Sequence, residues 1–324
     1  MAYTLHRATL ALHTAFGTPL AGDTLFGQLC WTLREAEGEA ALQSALDGYT
    51  SGKPWVVVSD GFPSGFLPKP ALPALEAFFG ATPAGKIADA AKERKFIKAR
   101  RWIPASQTSL GLQSLLAAAV SDQDAWGGKP PQRVTQAHNS INRETGTTGE
   151  AEFAPYSMPQ TFYGAGYKAD LYLVFDPERI AAAKLRTLLD AVGATGFGRD
   201  ASIGLGKFTV DEMTIATPPP PPPSAPGAWW TLGPCAPQGQ AFNKAASYYR
   251  TFTRFGRHGN VHALAGQPFK TPVLLAAAGA VFTPAGAYES RAFIGQGIGG
   301  DGSLSKVQAA TVHQGYAPVL ALAM

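Results

Sequence analysis

A globular chain mixing strands and helices in two domains is predicted by three observations. Apolar residues fill 45% of the 324 positions and charged residues 15%, which excludes disorder despite 36 Gly and 26 Pro. The pattern switches repeatedly between period-two alternation and helical stripes, with glycine or proline at the changes. Prolines 218–223 form an unbroken run, a stiff spacer in a chain long enough for two cores. The expected division is 1–216, a linker at 217–226, and 227–324.

Thr4 to His13 alternates as a strand, Gly17 to Gly22 loops, and Asp23 can cap a helix from Thr24 to about Arg34. Leu25, Phe26, Leu29 and Leu33 then share one face, ready to pack on a sheet. Trp55 to Ser59 reads as a short strand followed by proline-punctuated loop. Residues 127–150 are polar, lack hydrophobic periodicity, and read as a projecting arm. Leu171 to Phe175 is an apolar strand. Asp176 caps, Pro177 starts and Gly193 ends a helix with Ile180, Leu185, Leu188, Leu189 and Val192 as its core stripe. A glycine-rich loop, ATGFGRDASIGLG, leads from that helix to the strand KFTVDEMTI. Beyond the spacer, Trp229 to Leu232 and Thr271 to Phe282 read as strands or buried segments. A second glycine loop, FIGQGIGGDGS, follows late in the chain.

Charge is unevenly placed. The net value is +4, but residues 227–324 carry Lys244, Arg250, Arg254, Arg257, Lys270, Arg291 and Lys306 against only Glu289 and Asp301. Such a segment attracts a polyanion, most commonly nucleic acid. Between Phe242 and His262 the aromatics Tyr248, Tyr249, Phe252 and Phe255 interleave with Lys244, Arg250, Arg254 and Arg257. Aromatic faces stack on unpaired bases while cations hold phosphates, and the competing reading is an amphipathic helix with its aromatics in the core. A second basic cluster, Lys92, Arg94, Lys95, Lys98, Arg100 and Arg101, is either a solvated helix face or a further anion contact.

The first glycine loop holds Gly196, Gly198, Gly204 and Gly206 with Arg199 and Lys207, a composition suited to phosphate contact. A dinucleotide fingerprint is rejected because strand and helix stand in the reverse order. A P-loop is rejected because Ala201 and Phe208 occupy positions that require Gly and Ser or Thr. Cys30 and Cys235 have no metal or disulfide spacing, and Gly259 and Asn260 between His258 and His262 argue against a rigid metal site. No catalytic constellation stands out, and no metal or cofactor is expected. No run of about 18 apolar residues occurs and no signal-peptide pattern opens the chain, so a cytoplasmic protein without a membrane partner is expected.

Four stretches, GDTLFGQLCWTLRE (22–35), HNSINRETGTT (138–148), GFGRDASIGLGKF (196–208) and FIGQGIGG (293–300), occur in the order found in one family. The chain resembles the handle-binding RAMP-superfamily subunit of type III-A (Csm) CRISPR-Cas effector complexes. That resemblance implies an α+β protein of ferredoxin-like (RRM-like) modules with antiparallel sheets, glycine-rich loops and an inserted thumb-like arm. It implies a non-catalytic subunit gripping the repeat-derived 5′ handle of the guide RNA (crRNA). Its protein partners would be the large signature subunit, with a polymerase-like palm, and the backbone RAMP subunit of the filament.

Carried over by position, Gly196, Phe197, Gly198, Arg199, Ser202, Gly204 and Lys207 become handle contacts. His138, Asn139, Asn142 and Arg143 stand at the arm's base. Lys98, Arg100, Arg101, Arg250, Arg254, Arg257, Gly295 and Gly297 complete the candidate RNA-binding set. Two other readings stay open. One is a metal-independent endoribonuclease processing the guide precursor, with His138, Tyr248 or His258 as acid or base. The other is a protein-interaction subunit whose basic half docks an acidic partner.

Overall fold

Strand β1 (Thr4–Leu12) alternates as its sequence requires, sending Ala8, Leu10 and Leu12 inward. The computed structural model describes residues 3–73, 98–149, 153–217, 227–259 and 266–324. The basic residues Lys92, Arg94 and Lys95, the proline run at 218–223 and His262 lie outside the described residues.

Helix α1 (Gly22–Glu37) begins at Ala21, which offers no side-chain cap, so Asp23 sits inside the first turn, where its Oδ1 accepts from the Thr24 N–H at 2.9 Å. Its stripe of Leu25, Phe26, Leu29 and Leu33 is buried as expected. A Cβ at Gly22 would fall 2.2 Å from the Val58 carbonyl oxygen, so only glycine lets the helix start this close to strand β2 (Val56–Val58). Helix α2 (Glu39–Leu46) follows α1.

The chain then makes β3 (Phe62–Pro63), β4 (Phe66–Pro68), β5 (Arg100–Pro104), α3 (Leu112–Ala117), β6 (Val120–Ser121) and α4 (Asp122–Ala125). Strands β7 (Gln132–His138) and β8 (Tyr156–Phe162) pair as an exposed hairpin spanning the predicted arm. After β9 (Lys168–Phe175) comes α5 (Ala182–Thr195), which starts and ends later than predicted. Asp176 Oδ1 instead accepts from the Glu178 N–H in the preceding turn. Gly193 lies within the helix, where a Cβ would meet the Phe208 carbonyl oxygen at 2.1 Å. Strand β10 (Phe208–Ile215) closes this part.

The main sheet is antiparallel in the order β10-β1-β9-β2, and β3 also pairs with β9. Leu171 and Leu173 face α1 and α5, whereas Tyr172, one residue out of phase, faces a second core with Trp230, Leu320 and Leu322.

That second core is shared with the chain after the proline run: β11 (Gly227–Thr231), β12 (Thr251–Arg254), β13 (Val273–Ala276), β14 (Val281–Phe282), β15 (Phe293–Gly299) and β16 (Val312–Ala323). Its sheet runs β14-β11-β16-β15, and β12 pairs with β13 apart from it. Among the described residues this part contains no α-helix. The described residues of the basic-aromatic stretch, 242–259, are therefore not the amphipathic helix of the competing reading.

Two side chains stitch β16 to the first part. Gln314 accepts from the Val58 N–H (2.9 Å) and donates to its carbonyl (2.7 Å), satisfying an edge strand as a neighbouring backbone would. The Tyr316 hydroxyl donates to the Tyr49 carbonyl at 2.6 Å. No helix among the described residues is long and apolar enough to cross a membrane.

Candidate nucleic-acid interface

Three segments meet where β1 ends and β10 begins. The first is the glycine loop, which α5 releases at Gly196 (φ 102°). Gly198 and Gly206 also take positive φ. A Cβ on Gly206 would lie 2.2 Å from the Phe197 carbonyl oxygen, so the loop must double back tightly on itself.

The second is the loop between β1 and α1. Gly206 N–H donates to the Ala15 carbonyl (2.8 Å), Lys207 N–H to Thr14 Oγ1 and Arg199 N–H to Thr18 Oγ1 (both 2.9 Å). From α1, Gln28 clamps the glycine loop on both sides, donating to the Gly196 carbonyl (2.7 Å) and accepting from the Gly198 N–H (3.3 Å).

The third is the root of the β7–β8 hairpin, where Phe16 and Thr161 exchange backbone hydrogen bonds of 2.9 Å. The Arg199 guanidinium donates to the Pro159 carbonyl on β8 and holds Asp200 at 3.1 Å, coupling loop to hairpin. Trp126 stacks on Tyr167 (5.3 Å between centroids, 22° between planes) and Phe16 meets Tyr163 edge-on. The arm is thus seated on aromatic packing.

This geometry redistributes the sequence-predicted residues. Phe197 is fully buried against Phe16, so its ring is core and not a base-stacking surface. The amides of Phe197, Gly198, Arg199, Ile203, Gly204, Leu205, Gly206 and Lys207 are all spent inside the protein. The glycines therefore serve the fold more than a phosphate cradle. The loop presents Ser202 and Ile203, the latter 64% exposed, beside the half-buried Lys207, whose ammonium donates to the Ala194 carbonyl.

On the arm, Asn142 shapes the tip by accepting from the Glu144 N–H at 2.8 Å, while Asn139 and Arg143 are exposed. His138 is half-buried and stacks on Tyr156 (12° between planes). Lys129, Arg133 and Arg143 stand exposed on residues 127–149 against Glu144.

The C-terminal candidates divide. Arg254 forms a forked pair with Asp23, Nε to Oδ2 at 2.6 Å and Nη2 to Oδ1 at 3.0 Å, and the Asp23 side chain has no solvent exposure. His313 Nε2 stands 3.2 Å from the same carboxylate. Burial pushes the Asp23 carboxyl up, but His313 and Arg254 outweigh it and hold it below its ordinary range. Arg254 is thus an internal strut, a role hidden in sequence because its acid lies 231 positions away.

Arg250 and Arg257 are exposed, and Arg257 lies over Phe269 at 5.9 Å. Phe255 (72% exposed) and Phe269 (68%) give this hairpin an apolar outer surface. Gly295 and Gly297 lie in β15, where Cβ atoms would meet the Gly315 carbonyl oxygen at 2.1 Å and Tyr49 at 2.7 Å, so both serve close packing. Lys98 is exposed, Arg100 Nη1 reaches the Ala117 carbonyl at 3.4 Å, and Arg101 pairs with Asp122 at 3.3 Å. Of the acid–base candidates, His258 is buried against Ser305 (2.8 Å), Tyr248 is half-buried, and neither shares an element with His138. No cluster of His, Cys, Asp and Glu suited to a metal occurs among the described residues.

No family model and no curated protein matches this chain. Solved structures do. A chain of the Csm1-Csm4 cassette in complex with pppApA superposes with a TM-score of 0.57 at 15% identity, covering 100% of this chain and 98% of that one. The cassette in complex with AMPPNP gives 0.56 at 15%. The Csm3-Csm4 subcomplex of the type III-A CRISPR-Cas interference complex gives 0.56 at 13%, covering 98% and 99%. The fold is that of the matched chains in these Csm assemblies. Csm4 is the component common to both assemblies, so the likeness is to a Csm4-like subunit.

Proposed function

We propose that this chain is a non-catalytic RNA-binding subunit of a type III-A effector complex in the cytoplasm. It grips the repeat-derived 5′ handle of the guide RNA and joins a Csm1-like large subunit to a filament of Csm3-like backbone subunits. The carrying observation is the hairpin β7–β8 seated on the glycine loop through Arg199, with exposed cations along it and Ser202, Ile203 and Lys207 beside its root. A basic arm rising from a rigid floor suits a single strand, because side-chain cations follow the phosphates while the aromatics take unpaired bases.

In this reading β1, α1, β2, β9, α5 and β10 form a ferredoxin-like module, supported by the strand order β10-β1-β9-β2, and the β7–β8 hairpin is the thumb. Arg133, Asn139, Arg143, Ser202 and Lys207 contact RNA, and Arg199 positions the arm. The outer face of β12–β13, with Arg250 and Arg257, is the secondary RNA surface. The part after the proline linker serves as a second domain docked on the first.

The test is to purify the tagged protein gently from its native host and sequence the 5′ ends of the RNA it carries. One shared short 5′ sequence followed by diverse inserts is expected. Random or absent RNA, with the protein complex intact, overturns the reading in favour of a protein-interaction subunit.

A further inference from the structure

We propose that the cavity between α1, α2 and the loops leading into β13 and β16 is a binding site for a small organic monoanion, a carboxylate on an apolar or planar body. The cavity holds about 500 Å³, within the roughly 300–1,000 Å³ typical of small-molecule sites. Phe26, Trp31, Leu42, Leu46 and Val312 give it apolar walls.

Lys270 supplies the charge. Its side chain lines the cavity and has no hydrogen bond or ion pair among the described residues. The interior acid that it senses, Asp23, is already occupied by Arg254 and His313. Burial lowers the Lys270 pKa by disfavouring its charged form, and a carboxylate bound beside it would favour the ammonium again. Cys30 faces the same cavity, but burial pushes its thiol up to about 12, so it supplies neither an anion nor a nucleophile.

The rim sets the charge of the ligand. Arg34 is tied to Glu39, and Asp47 adds an exposed carboxylate. Among the described lining residues His258 is held by Ser305, which leaves Lys270 as the cation inside and Asp47 as the acid at the mouth, a balance that accepts a single negative charge and disfavours a phosphate dianion. Nothing in this site depends on the RNA reading, since its residues belong neither to the glycine loop nor to the β7–β8 arm.

The full purified chain would be titrated by calorimetry with indole-3-acetate, its uncharged amide and phenyl phosphate. The acid is expected to bind at least about tenfold tighter than either, the effect of one charge-assisted contact. Lys270→Met should make acid and amide equal, while Lys306→Met, at an exposed position, should change nothing. Should Lys270→Met fail to fold, Leu46→Trp, which fills the cavity, should abolish binding of the acid. No binding of the acid, equal affinities in the parent protein, or a preference that survives Lys270→Met or Leu46→Trp would overturn the proposal.

Discussion

The two hairpins, β7–β8 and β12–β13, both carry cations and use them in opposite ways. In β12–β13 the central cation, Arg254, turns inward to a fully buried carboxylate. In β7–β8 the cations Arg133 and Arg143 stay exposed, and attachment to the body falls to ring packing and to Arg199 from another loop. A basic-aromatic run is therefore not a binding surface until its partners are known. One buried acid converts part of it into a strut.

The largest expected effect breaks that strut. Arg254→Ala leaves the buried Asp23 without its forked partner, and about 3–5 kcal/mol of stability should be lost by denaturant unfolding. Arg257→Ala, on the outer face, should stay within about 0.5 kcal/mol. Equal losses would erase the contrast.

The floor under the first hairpin comes next. Gly204→Ala and Gly206→Ala both strain a positive φ, at roughly 1–3 kcal/mol. A Cβ at 204 meets open space, whereas at 206 it strikes a backbone oxygen, so thermal unfolding should be lowered clearly more by Gly206→Ala.

Two neighbouring acids sharpen the comparison through pH. Burial, opposed by the Gly22 N–H and aided by Asp23, pushes the Asp60 carboxyl up to about 7. A raised carboxyl favours the folded state at low pH, so this contribution is lost as pH rises from about 4 through 7. Asp23 is held low, so its contribution is present at neutral pH and lost as pH falls below its unfolded value of 3.8. Asp60→Asn should remove the stability decline between pH 4 and 7. Arg254→Ala should flatten the acid limb.

The smallest expected effects are in RNA binding. Arg133→Ala and Arg143→Ala should each lower the salt-dependence slope by about 1 with no change in melting temperature.

The first half was legible because its signals are local. The stripe Leu25, Phe26, Leu29 and Leu33 and the alternation in β1 each follow from neighbours in the chain. What sequence hid was long-range. Asp23 looked like a helix cap because that is the local use of an acid there, and its actual partner enters from β12. Gln28 and Gln314 went unnoticed, although each is a polar residue set among apolar ones, the mark of a buried hydrogen-bonding role. Gly295 and Gly297 looked like a ligand loop because a close-packed strand and a turn share the same glycine signature. Phe197, flanked by glycines, gave no sign of whether its ring pointed in or out.

The most direct test of the account is ultraviolet crosslinking of the assembled complex to its own RNA, with the modified peptides mapped by mass spectrometry. Crosslinks concentrated in residues 132–149 and 199–207, and fewer at 249–257, are predicted. Crosslinks confined to the β12–β13 hairpin, with the β7–β8 arm unmodified, would contradict it.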